Sequence, residues 1–421
     1  MRHNRTARAM GGLLLVAMIL PAAAAPPGDG ADPYFGDGGT SAFYRWDKPI
    51  AKPGTILRRE AVGAGFYADH AATAERILYG STDGRFGRGV VAASGLLYLP
   101  KGEPPPGGWP LMVWSHGTFG VADVCAPSWK KPTERDGTLT DEWVKQGFAV
   151  VAPDYQGLGT RGVHPYLQRK PEGYSVLDAA RAALTAYPGR IANRVILTGQ
   201  SQGSGAVLNA STLAAGYAPD LHLLGTIATA LSWRADPVGS AAADGNTADA
   251  SRYAVMRMMG GGLKPGSPSP ERLLSARGKR LREAAATSCS RDLVPVLEQA
   301  GIDGPNAFTV PPARLGALLG SLALAHHKLP MPIMIATGRA DAVIAPGAQY
   351  RAVQAMCRYG SRITWFQYDG VGHSATSNFA LKDAVPYARA LLAGRLPASS
   401  CGRLTPPGPL QAMDKSVPFN I

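Results

Sequence analysis

Charge, cysteine and long apolar runs are all scarce in this chain, and each shortage removes a class of function. Only 17% of the 421 residues are charged, against 45% hydrophobic, the balance of a globular, core-forming protein. No window outside the first residues approaches the roughly 18 apolar residues that a membrane-spanning helix needs. Basic residues outnumber acidic ones, 43 to 30, but they are scattered. The densest clusters are Lys279-Arg280, flanked by Arg277 and Arg282, and Lys130-Lys131. Neither forms a stripe interleaved with aromatics, so nucleic acid is not an expected partner. A solvated helix face explains them, and attraction to anionic polymers or a lipid interface is the alternative they leave open. The four cysteines, Cys125, Cys289, Cys357 and Cys401, lack C-x-x-C spacing. Such a set argues for two disulfides rather than a metal or redox site. Of the three possible pairings, Cys125–Cys289 and Cys357–Cys401 are favoured. The first ties a surface loop to an inserted segment, and the second closes one C-terminal unit.

Residues 1–25 read as a secretory signal. Arg2, Arg5 and Arg8 precede the apolar run Met10–Leu20, and small residues at 22–25 supply a cleavage site near Ala24/Ala25. An uncleaved anchor is the competing reading, disfavoured by the shortness of the run. Setting those arginines aside lowers the formal net charge from +13 to +10. Residues 26–40, rich in Gly, Pro and Asp, are expected to be a flexible lead-in.

From there short apolar runs alternate with helix-like ones. Strands are expected at Gly95–Pro100, Leu111–Ser115, Phe148–Ala152, Arg194–Leu197, Leu223–Ala230, Pro332–Thr337 and Ile363–Tyr368, and helices at Asp141–Gln146, Ser175–Tyr187 and Ser204–Gly216. This alternation predicts an α/β fold with a mostly parallel, doubly wound sheet. The rhythm fails between Trp233 and Leu329, where four helix candidates replace strands: Ala248–Met259, Pro270–Ala286, Asp292–Gln299 and Pro312–Lys328. The expected organisation is therefore a sheet domain over 41–232 and 330–421, interrupted by a helical cap at 233–329. Such a cap would lie over the strand C-termini, where ligands bind in these sheets. Its apolar residues, Met256, Met258 and Met259, then Leu315, Leu318, Leu319, Leu322 and Leu324, suit either an acyl groove or the cap's own core.

Gly199-Gln200-Ser201-Gln202-Gly203 carries the chemistry. An apolar run precedes it and a helix-like run follows, the context of a nucleophile elbow: a turn so sharp that the serine is strained and its hydroxyl stands clear of the sheet. The flanking glycines admit neighbouring backbone without a Cβ clash. The N–H of Gln202 would face a developing oxyanion. Serine chemistry also needs a base, an acid to orient it, and a second N–H donor. Downstream histidines are only His222, His326, His327 and His373. His373, in the glycine-rich loop Asp369-Gly370-Val371-Gly372-His373 after a strand, is the candidate base. Asp341, in the loop after the strand at 332–337, is the candidate acid, with Asp369 its rival. The loop Ser115-His116-Gly117-Thr118 follows an early strand, and its Thr118 N–H completes the oxyanion pair, with His116 shaping the loop.

These residues, with Lys52–Arg58, Gly120-Val121-Ala122-Asp123, Cys125-Ala126-Pro127-Ser128, Pro153–Thr160 and Val163-His164-Pro165-Tyr166-Leu167, resemble the secretory lipase family of α/β-hydrolases, bacterial members included. The resemblance implies a helical cap after the sixth strand, two disulfides, and hydrolysis of carboxylic esters, often of lipids. It maps nucleophile, acid and base onto Ser201, Asp341 and His373. Asp154 and Tyr155 fall close to the active site in that pattern without an assigned role. Ser204 stands where relatives often have glycine, and the short tail after Cys401 leaves open whether a flap covers the site. The expected activity is ester hydrolysis through an acyl-enzyme, needing no metal or organic cofactor, by a secreted monomer with transient contact to a lipid interface. A short-chain esterase on plant-wall or polyester substrates, a serine peptidase and a non-catalytic relative are the alternatives.

Overall fold

The computed structural model describes Met1 and residues 39–63, 65–66, 69–233, 247–320 and 327–420. The signal at 1–25, most of the 26–40 segment, and Leu322, Leu324 and His326 lie outside the described residues. Nine strands form one sheet: β1 (Ile56–Ala61), β2 (Ala71–Thr82), β3 (Val90–Pro100), β4 (Trp109–Ser115), β5 (Ala149–Pro153), β6 (Ile191–Gln200), β7 (Leu223–Thr229), β8 (Ile333–Gly338) and β9 (Ile363–Tyr368). Their spatial order is β1-β2-β3-β5-β4-β6-β7-β8-β9. The first three pair antiparallel, β3 meets β5 antiparallel, and every later pairing is parallel.

Apolar residues run continuously along the central strands because both faces of a parallel sheet are covered. Val195 and Leu197 of β6 join Leu111 and Val113 of β4 on one face. Ile196, Met112 and Trp114 belong to the core on the other. Helices α1 (Glu134–Lys145), α2 (Arg169–Ala186), α3 (Gln202–Tyr217), α8 (Pro346–Arg358) and α9 (Leu381–Leu392) cover these faces, while α4 (Ala248–Met259), α5 (Ala276–Ala285), α6 (Val294–Gln299) and α7 (Pro312–Leu318) lie in the stretch between β7 and β8. That stretch follows the seventh strand, not the sixth, because the edge strand β1 adds one to the count.

The expected helices there are shortened where tertiary pairing wins over periodicity. The run 270–286 breaks at Leu274, which bridges to Phe308. Ser275 then caps α5 by accepting from the Gly278 N–H at 3.2 Å, a start signal for a new helix. The run from 312 stops at Leu318, since Leu319 bridges to Leu263. Met256, Met258 and Met259 prove to be core of the cap stretch, packed with Leu273, Leu281 and Leu293. Both favoured disulfides are present, each with a Cα–Cα distance of 5.4 Å.

Register fixes where the chemistry can gather. Ser115 lies opposite Gly199, Gln200 opposite Thr229, and Gly338 opposite Tyr368. The loops carrying Thr118, Ser201, Asp341 and His373 therefore leave one edge of the sheet, at the strand C-termini.

Candidate active site

Ser201 sits between β6 and α3 with φ 56° and ψ −119°, a conformation that costs a non-glycine residue about 1–3 kcal/mol. Crowding holds it there. A Cβ on Gly199 would lie 2.2 Å from the Gly203 carbonyl oxygen, and one on Gly203 only 1.8 Å from that of Ser115. Glycine at both places lets α3 press onto β4 and β6, which forces the turn. Ser204, where relatives often have glycine, adds a tie: its Oγ donates to the Ser201 carbonyl at 2.6 Å and accepts from the Ser232 N–H at 3.0 Å.

His373 Nε2 is 2.9 Å from Ser201 Oγ. Its Nδ1 is 2.9 and 3.0 Å from the two carboxylate oxygens of Asp341. Asp341 is fully buried, and its oxygens also accept from the N–H groups of Val343 and Ile344 and from Gln349 Nε2 at 2.8–3.0 Å. An acid so surrounded fixes the tautomer with Nδ1 protonated, leaving the Nε2 lone pair toward Ser201. Asp369, the rival, instead pairs with Arg339 at 2.5 Å. His222 lies elsewhere, its N–H donating to Asn193 Oδ1 at 2.9 Å.

Thr118 and Gln202, expected to supply the two N–H donors, lie on the loop and the helix beside Ser201. Gln202 is the first residue of α3, so its N–H has no partner within the helix. The 116–118 loop passes directly alongside, since a Cβ on Gly117 would lie 3.5 Å from Ser201 Cβ. Thr118 Oγ1 is 2.6 Å from the Tyr166 hydroxyl. His116 stays in the loop scaffold: Nδ1 contacts the Gly117 carbonyl at 2.6 Å, and burial pulls its pKa down. Tyr155, at φ 75°, donates its O–H to the His116 carbonyl at 2.8 Å. Asp154 is buried, with Ser94 Oγ donating to it at 2.6 Å and the Ser128 N–H at 3.0 Å. Tyr155 thus braces the His116 loop, Asp154 ties β3 to the Ser128 segment, and none of these bonds reaches the relay.

Sequence reasoning missed Glu172. It is buried beneath the elbow, and its Oε1 accepts from Gln202 Nε2 at 2.8 Å and from the Leu167 N–H at 2.9 Å. Desolvation pushes its pKa up to about 8. His164, pushed down to about 4 by burial, uses Nδ1 on the Gln156 carbonyl at 3.0 Å and offers Nε2 to the same Gln202 amide at 3.2 Å. The Gln202 side chain is thereby clamped. The His-Pro-Tyr segment was part of the family pattern, but a buried glutamate inside a helix carries no sequence signal of its own.

A cavity of about 620 Å³ opens on Ser201, Thr118 and Gln202 and runs beneath the cap helices. Its walls are largely apolar, with Ala254, Leu297, Ile302, Phe308, Leu315 and Leu319 among them. Leu315 and Leu319 serve the cap core and the cavity at once. Among the described residues, no group of three or more His, Cys, Asp or Glu is placed to hold a metal ion.

The sheet order, the elbow and the inserted helices define an α/β-hydrolase fold. Known proteins narrow this. The profile of the Secretory lipase family matches residues 131–244. Lipase 7 of Candida albicans is 31% identical over 135 residues, and Lipase A of Moesziomyces aphidis 29% identical over 148. These cover 29% and 32% of this chain and span only 30% of each relative's length. Solved structures align far more widely. Candida antarctica lipase A in its closed state has a TM-score of 0.63 at 19% identity, covering 93% of this chain and 91% of that one. The rice cell wall degrading esterase LipA from Xanthomonas oryzae has 0.64 at 19%, covering 82% and 100%. The resemblance to the secretory lipases is borne out.

Proposed function

We propose that the protein is a secreted serine hydrolase that cleaves carboxylic esters of extended acyl chains, lipid esters foremost, with Ser201, His373 and Asp341 as its triad. The observation that carries this reading is the continuous relay from Asp341 through His373 to Ser201, opening on a largely apolar cavity. At about 620 Å³ the cavity falls within the roughly 300–1,000 Å³ of small-molecule sites. The acyl chain lies along the cap helices and the carbonyl meets Ser201.

Ser201 Oγ attacks the carbonyl carbon while His373 Nε2 takes its proton, and Asp341 stabilises the imidazolium. The N–H groups of Thr118 and Gln202 hold the oxyanion. Collapse passes the proton to the leaving alcohol, and water then cleaves the acyl-enzyme by the same route. The strained turn at Ser201 and the bracing beneath Gln202 support this reading, since a nucleophile and donor on one rigid corner need little reorganisation during reaction. Secretion rests on the leader at 1–25 and on the secretory lipase resemblance.

The test is hydrolysis of p-nitrophenyl esters of two to sixteen carbons, beside emulsified triglyceride, by wild type and Ser201→Ala. Turnover is expected to rise with chain length and to fall by a factor on the order of 10⁶ in the variant. Wild-type turnover in Ser201→Ala would overturn the mechanism. Activity confined to two- to four-carbon esters would replace lipid esters with short soluble ones.

A further inference from the structure

Residues 402–420 form no helix or strand, yet they are held at many points. The stretch starts beside Cys401, which is bonded to Cys357 of α8. It then crosses the two loops that carry Asp341 and His373. The Thr405 carbonyl accepts from Gln367 Nε2 at 2.9 Å, and that of Pro407 from Arg339 Nε at 2.8 Å. The Gln411 N–H donates to the Arg339 carbonyl at 3.0 Å. Beyond this point the bonds concentrate on the histidine loop. Gln411 Oε1 accepts from the Gly370 N–H at 2.8 Å, and Asn420 Oδ1 from the Gly372 N–H at 2.6 Å. The Gly370 carbonyl accepts from Asn420 Nδ2 and from the Asp414 N–H, each at 2.8 Å. Asn420 Nδ2 also donates to the Asp414 carbonyl at 2.7 Å, which closes the segment on itself.

Packing agrees with the bonding. A Cβ on Gly372 would lie 2.8 Å from both Asn420 Oδ1 and Met413 Sδ, and one on Gly370 2.9 Å from Asp414 Cβ. The loop glycines are therefore small because this segment lies against them, as well as for the turn at Gly370, φ 67°. None of residues 402–420 lines the cavity.

We propose that residues 402–420 are a strap, rooted by Cys357–Cys401, that positions His373 by supplying the hydrogen-bond partners of Gly370 and Gly372. This rests on the assignment of His373 as the base. Apart from the strap, the loop near His373 is held by the Arg339–Asp369 pair, by the Ala340 N–H, donating to the Val371 carbonyl at 2.9 Å, by Gln200 Nε2, donating to the His373 carbonyl at 3.2 Å, and by Thr376 Oγ1, donating to the Gly372 carbonyl at 2.8 Å. None of these contacts the N–H groups that the strap engages. With those left unpaired, the loop can shift and the 2.9 Å contact from His373 Nε2 to Ser201 Oγ lengthens. A misplacement near 1 Å costs on the order of 10²-fold in rate.

The experiment compares wild type, Asn420→Ala, Asn420→Asp and Gln411→Ala in ester turnover and in labelling of Ser201 by a fluorophosphonate. Asn420→Ala is expected to lower kcat on the order of 10- to 100-fold, to slow labelling by the same factor, and to leave KM within about twofold. Asn420→Asp keeps the acceptor for the Gly372 N–H and is expected to recover part of that loss. Labelling of Asn420→Ala at the wild-type rate, or a change confined to KM, would overturn the strap. Should Asn420→Ala not fold, Gln411→Ala, which removes the Gly370 acceptor together with the Gln411 Nε2 donor to Asp369 Oδ1 at 3.2 Å, decides by the same two readouts. Wild type that neither turns over esters nor takes the label would sink the serine-hydrolase reading instead, a result distinct from any failure of the strap.

Discussion

Glu172 links stability to pH through one side chain. Its folded pKa of about 8 lies above its ordinary 4.5, so between those values the folded protein keeps a proton that the unfolded chain has released. Stability from this group is therefore full below about pH 4.5, declines as pH rises, and levels off above about 8. Glu172→Gln keeps an oxygen for the Gln202 amide and the Leu167 N–H but cannot ionise. The expected outcome is that the variant's thermal midpoint, relative to wild type, rises from pH 5 to pH 8.5. Parallel midpoints across that range would refute the assignment. At this scale Ser201, Asp341 and His373 were readable because strand ends and glycine-rich loops mark them. Glu172 was not, since burial of a helical carboxylate is decided by what packs on it. Tyr155 and Asp154 were visible as a pattern, but only the bonds to His116, Ser94 and Ser128 explain their place.

Among elements, the helices between β7 and β8 supply much of the cavity wall. Ala254 of α4 lines the cavity and is only partly buried, so enlarging it fills the cavity rather than overpacking the core. Ala254→Phe is expected to lower the ratio of sixteen-carbon to two-carbon ester turnover by about tenfold or more, on the scale of 1–3 kcal/mol that one or two methylenes carry in such pockets. An unchanged ratio would place the acyl chain elsewhere. The central strands and α3 were legible because apolar runs in a sheet covered on both faces leave little ambiguity. The antiparallel strands β1 and β2 were not anticipated: Arg58, Arg59, Glu75 and Arg76 interrupt their apolar pattern. Arg76 is nonetheless buried, its guanidinium among Phe43, Tyr44 and Trp129. The helix breaks at Leu274 and Leu318 escaped notice because they arise from bridges to residues more than thirty positions away.

Over the whole molecule, the disulfides span 164 and 44 residues. Cys125→Ser/Cys289→Ser is expected to lose roughly 2–5 kcal/mol of unfolding free energy, read as a lower urea midpoint at unchanged slope. An unaltered midpoint would mean that the bond does not constrain the unfolded chain. The pairing was favoured for the segments each bond would join, and both bonds are present, although the loop at Cys125, expected at the surface, is buried. The cavity volume was beyond reach, because it depends on how four short helices settle against one another.

The Cys125–Cys289 bond also sets how the cap can move. It joins the stretch after Thr118 to the residues between α5 and α6, and the Ser290 N–H donates to the Phe119 carbonyl at 2.6 Å just beside it. One corner of the cap is thus welded to the doorframe. On the proposed reading, any opening of the cap hinges beside this corner and pulls on the Phe119 carbonyl, next in sequence to Thr118. Were an acyl chain admitted by such an opening, the same bond would transmit it to the segment beside the proposed oxyanion donor.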